Sequence, residues 1–513
     1  MRFSRTLFAL AAAMLAATPL HARWKQATSN HFVVYSEGSE QEIREFATKL
    51  EKFDFVLRAY HGVKAPHSPV KLKVYLVPNI AAVEKLAGGE GVAGYYVSDV
   101  RGLMMVGTRD DRRSAQLGAE AILLHEYTHH FMYQYFPAAY PTWYSEGFAE
   151  FWGSVEFRDK DLVEIGLPAN HRFGSFWGNR WLPINKLLTA QSYADVPEVD
   201  LLYSEGWLLV RYAYEHPERQ KQLQAYLKAI NDGKSYAESA EQAFDNLGKL
   251  NSEIFDYAGR SKFSVIQLPF KKIEPGPIAV RELAGAEDGM IEYDIRLAQG
   301  VLKKEAAEFA AKVNRAAAAY PDDPHALALI AEAQRLAGNF DAADNAADRL
   351  LAGAANNVDG LLQKSLIGIA RMKASGSKDA ATAKGIRAHL DKAMRLAPQN
   401  PLVLEAYYES FRAQGILPPE EAQNALYTAM ELAPSDRDLR YQVAADFEAR
   451  GMIPEAIAII RPIAYLQKPQ ETEKERKKRL LQQEKYMAAG DEKRETAREM
   501  LTRLQGKLKT AAN

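Results

Sequence analysis

Ala121-Ile-Leu-Leu-His125-Glu126-Tyr127-Thr128-His129-His130-Phe131 carries two histidines four positions apart, with a glutamate directly after the first. On an α-helix, positions i and i+4 share one face, so His125 and His129 can grip a single metal ion. Glu126 stands beside the first ligand, within reach of a water on that ion. Neutral imidazoles suit zinc, and three protein ligands with one open position make a catalytic rather than a structural site. His130 falls one position off this face and reads as structural. The apolar residues before the motif, and Phe131-Met132 after it, fit a helix buried in a domain. The 513-residue chain has no cysteine. Disulfides, thiol catalysis, iron–sulfur ligation and every Cys-containing zinc site are therefore excluded, and any metal must be held by His, Asp or Glu.

A third ligand is needed, and Pro141-Thr-Trp-Tyr-Ser-Glu146-Gly-Phe-Ala-Glu150-Phe-Trp152 follows. Glu146 and Glu150 again share a helix face. One carboxylate can bind the metal while the other accepts the N–H of a ligating histidine.

Together these motifs resemble the gluzincin metallopeptidases, the thermolysin-like and aminopeptidase-like clan, and within it the peptidase MA-like group. The resemblance covers about residues 90–215. It implies an α+β zincin-like catalytic domain, a small mixed sheet plus helices, with one Zn2+ per chain. It places the third ligand on Glu146 and the orienting role on Glu150, and it makes Glu126 the general base that deprotonates a zinc-activated water. Sixteen residues separate His129 from Glu146, fewer than in the aminopeptidase branch, which implies a shorter loop. Leu202-Tyr203-Ser-Glu-Gly206 is similar to the Tyr-x-x-Gly helix of gluzincin aminopeptidases. That likeness implies that Tyr203 donates a hydrogen bond to the oxyanion. The family's Gly-Ala-Met-Glu-Asn substrate strand has no counterpart; the region reads Gly91-Val-Ala-Gly-Tyr-Tyr-Val-Ser-Asp-Val-Arg-Gly-Leu-Met-Met-Val-Gly107. An edge strand here would bind an extended peptide by adding it to the sheet. Without the family's glutamate to anchor a free amine, an endopeptidase is favoured over an aminopeptidase.

Around this centre the front half alternates short strands with helices. His31–Tyr35, Val70–Val77, Ala93–Val97 and Leu103–Val106 are β-branched and aromatic runs. The second alternates lysine with apolar residues and reads as half-buried. Glu40–Tyr60 has helical periodicity, and further helical segments are expected around 114–136, 143–155, 203–215 and 218–230. The metallopeptidase-like domain is expected over 23–270. Ile273-Glu-Pro-Gly-Pro277 breaks any helix, so 271–300 reads as a linker.

Behind it the composition changes. All six Trp lie at or before position 207, and the back half is rich in Ala, Leu and charged residues. Pro324 to Ala343 and Asp436 to Ala456 each carry a small residue seven before a glycine (Gly338, Gly451) and an alanine five after it. Pro401 to Ala433 repeats the pattern around Gly415 with a longer loop. The spacing resembles tetratricopeptide repeats and implies an all-α tetratricopeptide-like solenoid over 301–465, a surface suited to a protein partner. The Glu-, Lys- and Arg-rich stretch 466–513 reads as a charged helical cap.

Met1 to Ala22 has a positive start, an apolar run from Leu7 to Ala17 and a small-residue exit, the pattern of a secretory signal peptide. No later stretch is apolar for long enough to span a bilayer. The expected product is a periplasmic or secreted protein. The full chain's formal net charge of −1 gives no reason to expect a nucleic-acid or anionic-membrane partner. Two functions follow as expectations. One is an exported zinc metallopeptidase whose helical repeats recruit a peptide or protein substrate or a partner. The other is a non-catalytic periplasmic scaffold that binds peptides through a peptidase-like domain.

Overall fold

The chain is described by a computed structural model over residues 23–109, 118–158, 162–167, 180–259, 263, 265–270, 274–465 and 495–512. The expected signal peptide (1–22) and most of the expected charged cap (466–494) lie outside the described residues. The rest is mostly helical, with a small mixed sheet in the front half.

That sheet is built from β1 (Lys25–Thr28), β2 (Phe32–Ser36), β3 (Leu72–Val77), β4 (Gly94–Asp99), β5 (Gly102–Thr108) and, far along the chain, β9 (Ala279–Glu282). Its order is β4-β5-β3-β2-β1-β9. β2, β3 and β5 run parallel, and the other three run antiparallel to their neighbours. A second, three-stranded sheet joins β6 (Glu156–Arg158), β7 (Leu162–Ile165) and β8 (Ile266–Pro269).

β3 is a central strand covered on both faces, not the half-buried strand its lysines suggest. Only Lys73 is exposed. Leu72, Val74 and Leu76 face one core, while Tyr75 and Val77 face the other. A parallel strand needs cover on both sides because its crossovers put helices there.

The helices of the front half are α1 (Glu40–Tyr60), α2 (Ile80–Ala87), α3 (Ala119–Tyr135), α4 (Thr142–Gly153), α5 (Ile184–Thr189), α6 (Val199–Glu215), α7 (Pro217–Asn231), α8 (Tyr236–Ala243) and α9 (Leu247–Ala258). Ser39 and Glu42 open α1 with reciprocal side-chain and backbone hydrogen bonds. α1 and α3 cover the face of Val34, Val74 and Met105.

The expected linker is a correction. From residue 279 it is part of the fold: β9 pairs with β1, and α10 (Ala286–Gly289) and α11 (Ile291–Gln299) follow. Leu283, Ile291, Ile295 and Ala298 are buried with α2 against the second face of the sheet. The Trp24 N–H donates to Asp288 Oδ1 at 2.8 Å. Prolines break a helix but do not prevent an edge strand.

The back half is a run of antiparallel helices: α12 (Ala306–Ala317), α13 (Pro324–Leu336), α14 (Phe340–Gly353), α15 (Val358–Ser375), α16 (Ala380–Leu396), α17 (Pro401–Gln414), α18 (Glu420–Leu432), α19 (Arg437–Ala449), α20 (Ile453–Ala464) and α21 (Ala497–Ala512). Gly338, Gly415 and Gly451 sit in the turns with φ of 77–79°, a conformation other residues rarely adopt. The alanines of the repeat pattern, among them Ala331, Ala343, Ala422, Ala444 and Ala456, are fully buried where helices touch.

The helical back half folds back onto the sheet. Val100, at the tip of the β4–β5 hairpin, packs with Leu404, Tyr408, Leu439 and Val443 of α17 and α19. Its N–H donates to Asp436 Oδ2 at 2.7 Å, and Ser98 Oγ donates to the Ser435 carbonyl at 3.2 Å. Ala444, Ile457, Ile460, Ile463, Leu501 and Leu504 belong to the same core cluster as α3, α4 and α6.

Candidate metal centre

α3 and α4 are joined by residues 136–141, and Asn231 pins that short loop by bonding both the N–H and the carbonyl of Ala139. The two helices lie close: a Cβ at Gly153 would come within 3.1 Å of the Cα of His125. α4 in turn crosses α6 at Gly147 and Gly206, where bare backbones touch. The glutamates of α4 are thereby carried to the histidines of α3.

His125 Nε2 lies 3.1 Å from His129 Nε2 and 3.1 Å from Glu146 Oε2, and His129 Nε2 lies 3.4 Å from the same oxygen. Three donor atoms on such a triangle can all be placed ~2.0–2.1 Å from one point slightly above their plane, which is the spacing zinc takes with nitrogen and oxygen. Two imidazoles and a carboxylate also suit zinc chemically. These residues therefore fit the ion that the sequence motif implies.

The charges point the same way. Burial alone would lower the His125 imidazole, but Glu146, Glu150 and Glu126 around it raise it to about 9. Burial would likewise raise the Glu146 carboxyl, yet His129 and His125 outweigh burial and hold it well below the usual range. The cluster attracts positive charge, whether a proton or a metal ion carries it. Burial raises Glu126, and the flanking histidines oppose that shift.

Each candidate from the sequence has a definite place. His125, His129 and Glu146 converge. Glu126 stands within electrostatic range of all three. Glu150 is buried and faces Nδ1 of His125 at 3.7 Å, an ion-pair distance rather than a hydrogen bond. Tyr203 on α6 stacks on the His125 ring, with centroids 6.3 Å apart and planes at 28°. His130 points elsewhere: its Nδ1 meets the Tyr96 hydroxyl at 3.0 Å, and burial lowers its pKa to about 4.

Two further groups support the site. The Tyr193 hydroxyl donates to Glu146 Oε1 at 2.6 Å, leaving Oε2 for the histidines. Its ring also stacks on Tyr203. Ser145 Oγ meets Nδ1 of His129 at 3.2 Å, which leaves Nε2 directed at the cluster. Neither was singled out in the sequence. Ser145 lies inside the quoted motif and could have been tested by its spacing. Tyr193 sits in a separate short turn, Tyr193–Asp195, with no motif around it.

β4 passes beside this centre. A Cβ at Gly94 would lie 3.7 Å from Cγ of Glu126 and would collide with Ile122. β4 is the edge strand, and its two-residue hairpin turn pairs Asp99 with Gly102. The closing pair of such a hairpin is hydrogen-bonded, so the backbone groups of residues 94, 96 and 98 face away from the sheet.

Known proteins add little. No protein-family profile matches the chain, and no curated protein matches it. Among solved structures, a thermophilic TPR protein of Thermus thermophilus is similar over 31% of this chain and 80% of its own, at 19% identity and a TM-score of 0.28. Among the described residues, no helix is long and apolar enough to cross a membrane.

Proposed function

We propose that this chain is an exported zinc metallopeptidase, with a zincin-like front half and tetratricopeptide-like repeats that recruit a peptide or protein substrate or a partner. One observation carries the reading: His125 Nε2, His129 Nε2 and Glu146 Oε2 converge within 3.4 Å of one another, with Glu126 beside them. Zinc held by these three residues would supply Lewis acidity at the scissile carbonyl.

The chain's own groups do the rest. Glu126 takes the proton of the attacking water and passes it to the leaving amine. Tyr203 donates to the oxygen on which negative charge develops. Tyr193 fixes one oxygen of Glu146, Ser145 fixes the His129 ring, and Glu150 favours the correct orientation of His125. The outward backbone groups of β4 hold an extended peptide as an added strand. At the hairpin end that peptide meets residues 434–437, so the repeats border the cleft.

The test is metal content together with turnover on a mixed peptide library, for wild type, His129→Ala and Glu126→Gln. About one zinc per chain at this centre, with cleavage lost in both variants, supports the peptidase. Zinc without cleavage in the wild type points to a peptide-binding scaffold instead. Wild-type zinc that His129→Ala leaves unchanged refutes the ligand set.

A further inference from the structure

A second group of histidines and carboxylates lies on the other side of α3. His31 leads into β2, Asp54 is on α1, and His67 is in the loop before β3. One ligand atom from each lies within 4.8 Å of the other two. The group lines a cavity of about 420 Å³ that opens to solvent.

The supports expected of metal ligands are already in place. Glu51 grips His31 twice: Oε2 meets ring Nδ1 at 2.6 Å, and Oε1 accepts the backbone N–H at 2.9 Å. This is the carboxylate–imidazole pairing that fixes a ring and leaves Nε2 to ligate. The Tyr127 hydroxyl donates to Asp54 Oδ1 at 2.6 Å and leaves Oδ2 facing His67 Nδ1 at 3.5 Å. Both carboxylates are buried, at 5% and 2% exposure.

The two rings are stacked, with centroids 3.5 Å apart and planes at 21°. Parallel rings cannot aim in-plane lone pairs at one ion, so binding requires one ring to turn. His67 can do so: its side chain is 37% exposed and it sits in a loop. Arg58 and Lys64 line the same cavity as Glu51, Asp54 and Glu274, so the wall charges nearly cancel. Selection then rests on affinity for nitrogen rather than on negative potential. That favours zinc, cobalt, nickel or copper over calcium or magnesium.

We propose that His31, Asp54 and His67 form a second, solvent-reachable transition-metal site, independent of His125 and His129. The test is titration of the metal-free full-length protein with Co²⁺, read by visible absorbance, and with Zn²⁺, read by calorimetry. It is run in the His129→Ala background so that the first centre is disabled. One ion should bind per chain, with cobalt bands that show nitrogen ligation. Adding His67→Ala or His31→Gln should remove it, and adding Glu51→Gln should weaken it about 10- to 100-fold. Circular dichroism melts verify folding of each variant, and exposed His67 is the safest substitution. No ion in the His129→Ala protein, or an ion indifferent to both histidine substitutions, overturns the proposal. Because the readout excludes peptide cleavage, its failure is distinct from failure of the peptidase reading.

Discussion

Gly147→Ala tests the helix crossing that carries Glu146. A Cβ built on Gly147 would lie 2.3 Å from the carbonyl carbon of Gly206, 2.4 Å from its oxygen and 2.8 Å from its Cα, whereas ordinary contact begins at 3.4 Å. All three neighbours are backbone, so no side-chain rotation relieves the clash, and α4 and α6 must part by about 1 Å. Overpacking of this kind costs about 1–3 kcal/mol, and the rigid neighbours put this case near the upper end. At roughly 1–2 °C per kcal/mol for a chain of this size, the melting temperature should fall by roughly 3–6 °C. Glu146 is the adjacent residue, and its oxygen stands 3.1 and 3.4 Å from the two imidazole nitrogens. A shift of that size takes it out of register with them, so zinc affinity should fall about 10- to 100-fold. The assay is thermal unfolding and zinc calorimetry of wild type and Gly147→Ala. Gly385→Ala is the control, because a Cβ there meets nothing within 4 Å and should be neutral or slightly stabilising. Wild-type melting and wild-type zinc affinity in Gly147→Ala would refute the reasoning.

Three other outcomes are expected. Glu126→Gln should keep zinc by elemental analysis and lose peptide turnover by about 10²–10⁴-fold, as loss of a general base does. Tyr193→Phe removes the donor to Glu146 Oε1 and should weaken zinc about 10-fold by calorimetry, with little change in melting because Tyr193 is 43% exposed. Glu205 is buried and accepts the Leu182 N–H at 2.6 Å, and burial raises its carboxyl to about 8. A raised acid contributes stability that is fully present below its unfolded pKa of about 4.3 and is lost as pH rises through about 8. The melting temperature of Glu205→Gln relative to wild type should therefore climb between pH 5 and pH 8; a flat difference would contradict it.

The sequence made some of this legible and hid the rest for physical reasons. His125, His129, Glu146 and Glu150 lie at helical spacing, so their shared faces could be read directly. The glycine turns at 338, 415 and 451 could be read because the pattern recurs. Tyr193 could not, since its role depends on a turn 47 residues beyond Glu146 in the chain. Gly147 and Gly206 stand in quoted motifs, yet a helical glycine does not announce which helix approaches it. Residues 279–299 looked like a linker because β9 is a four-residue edge strand, and the partner of α11, α2, lies two hundred residues earlier. His31 and His67 share no motif; only folding stacks them.

The shared core also sets an order of events during synthesis. The hydrophobic cluster that holds residues of α3 and α4 extends to Ile457, Ile460 and Ile463, and then to Leu501 and Leu504. At about 5–20 residues per second, a ribosome that has just finished α4 needs roughly 20–70 s more to reach the last of these. Through that interval the histidine pair and Glu146 exist in a chain whose core is still open on one side. A nascent or truncated product therefore carries the centre in a core that is completed only when nearly the whole chain has been made.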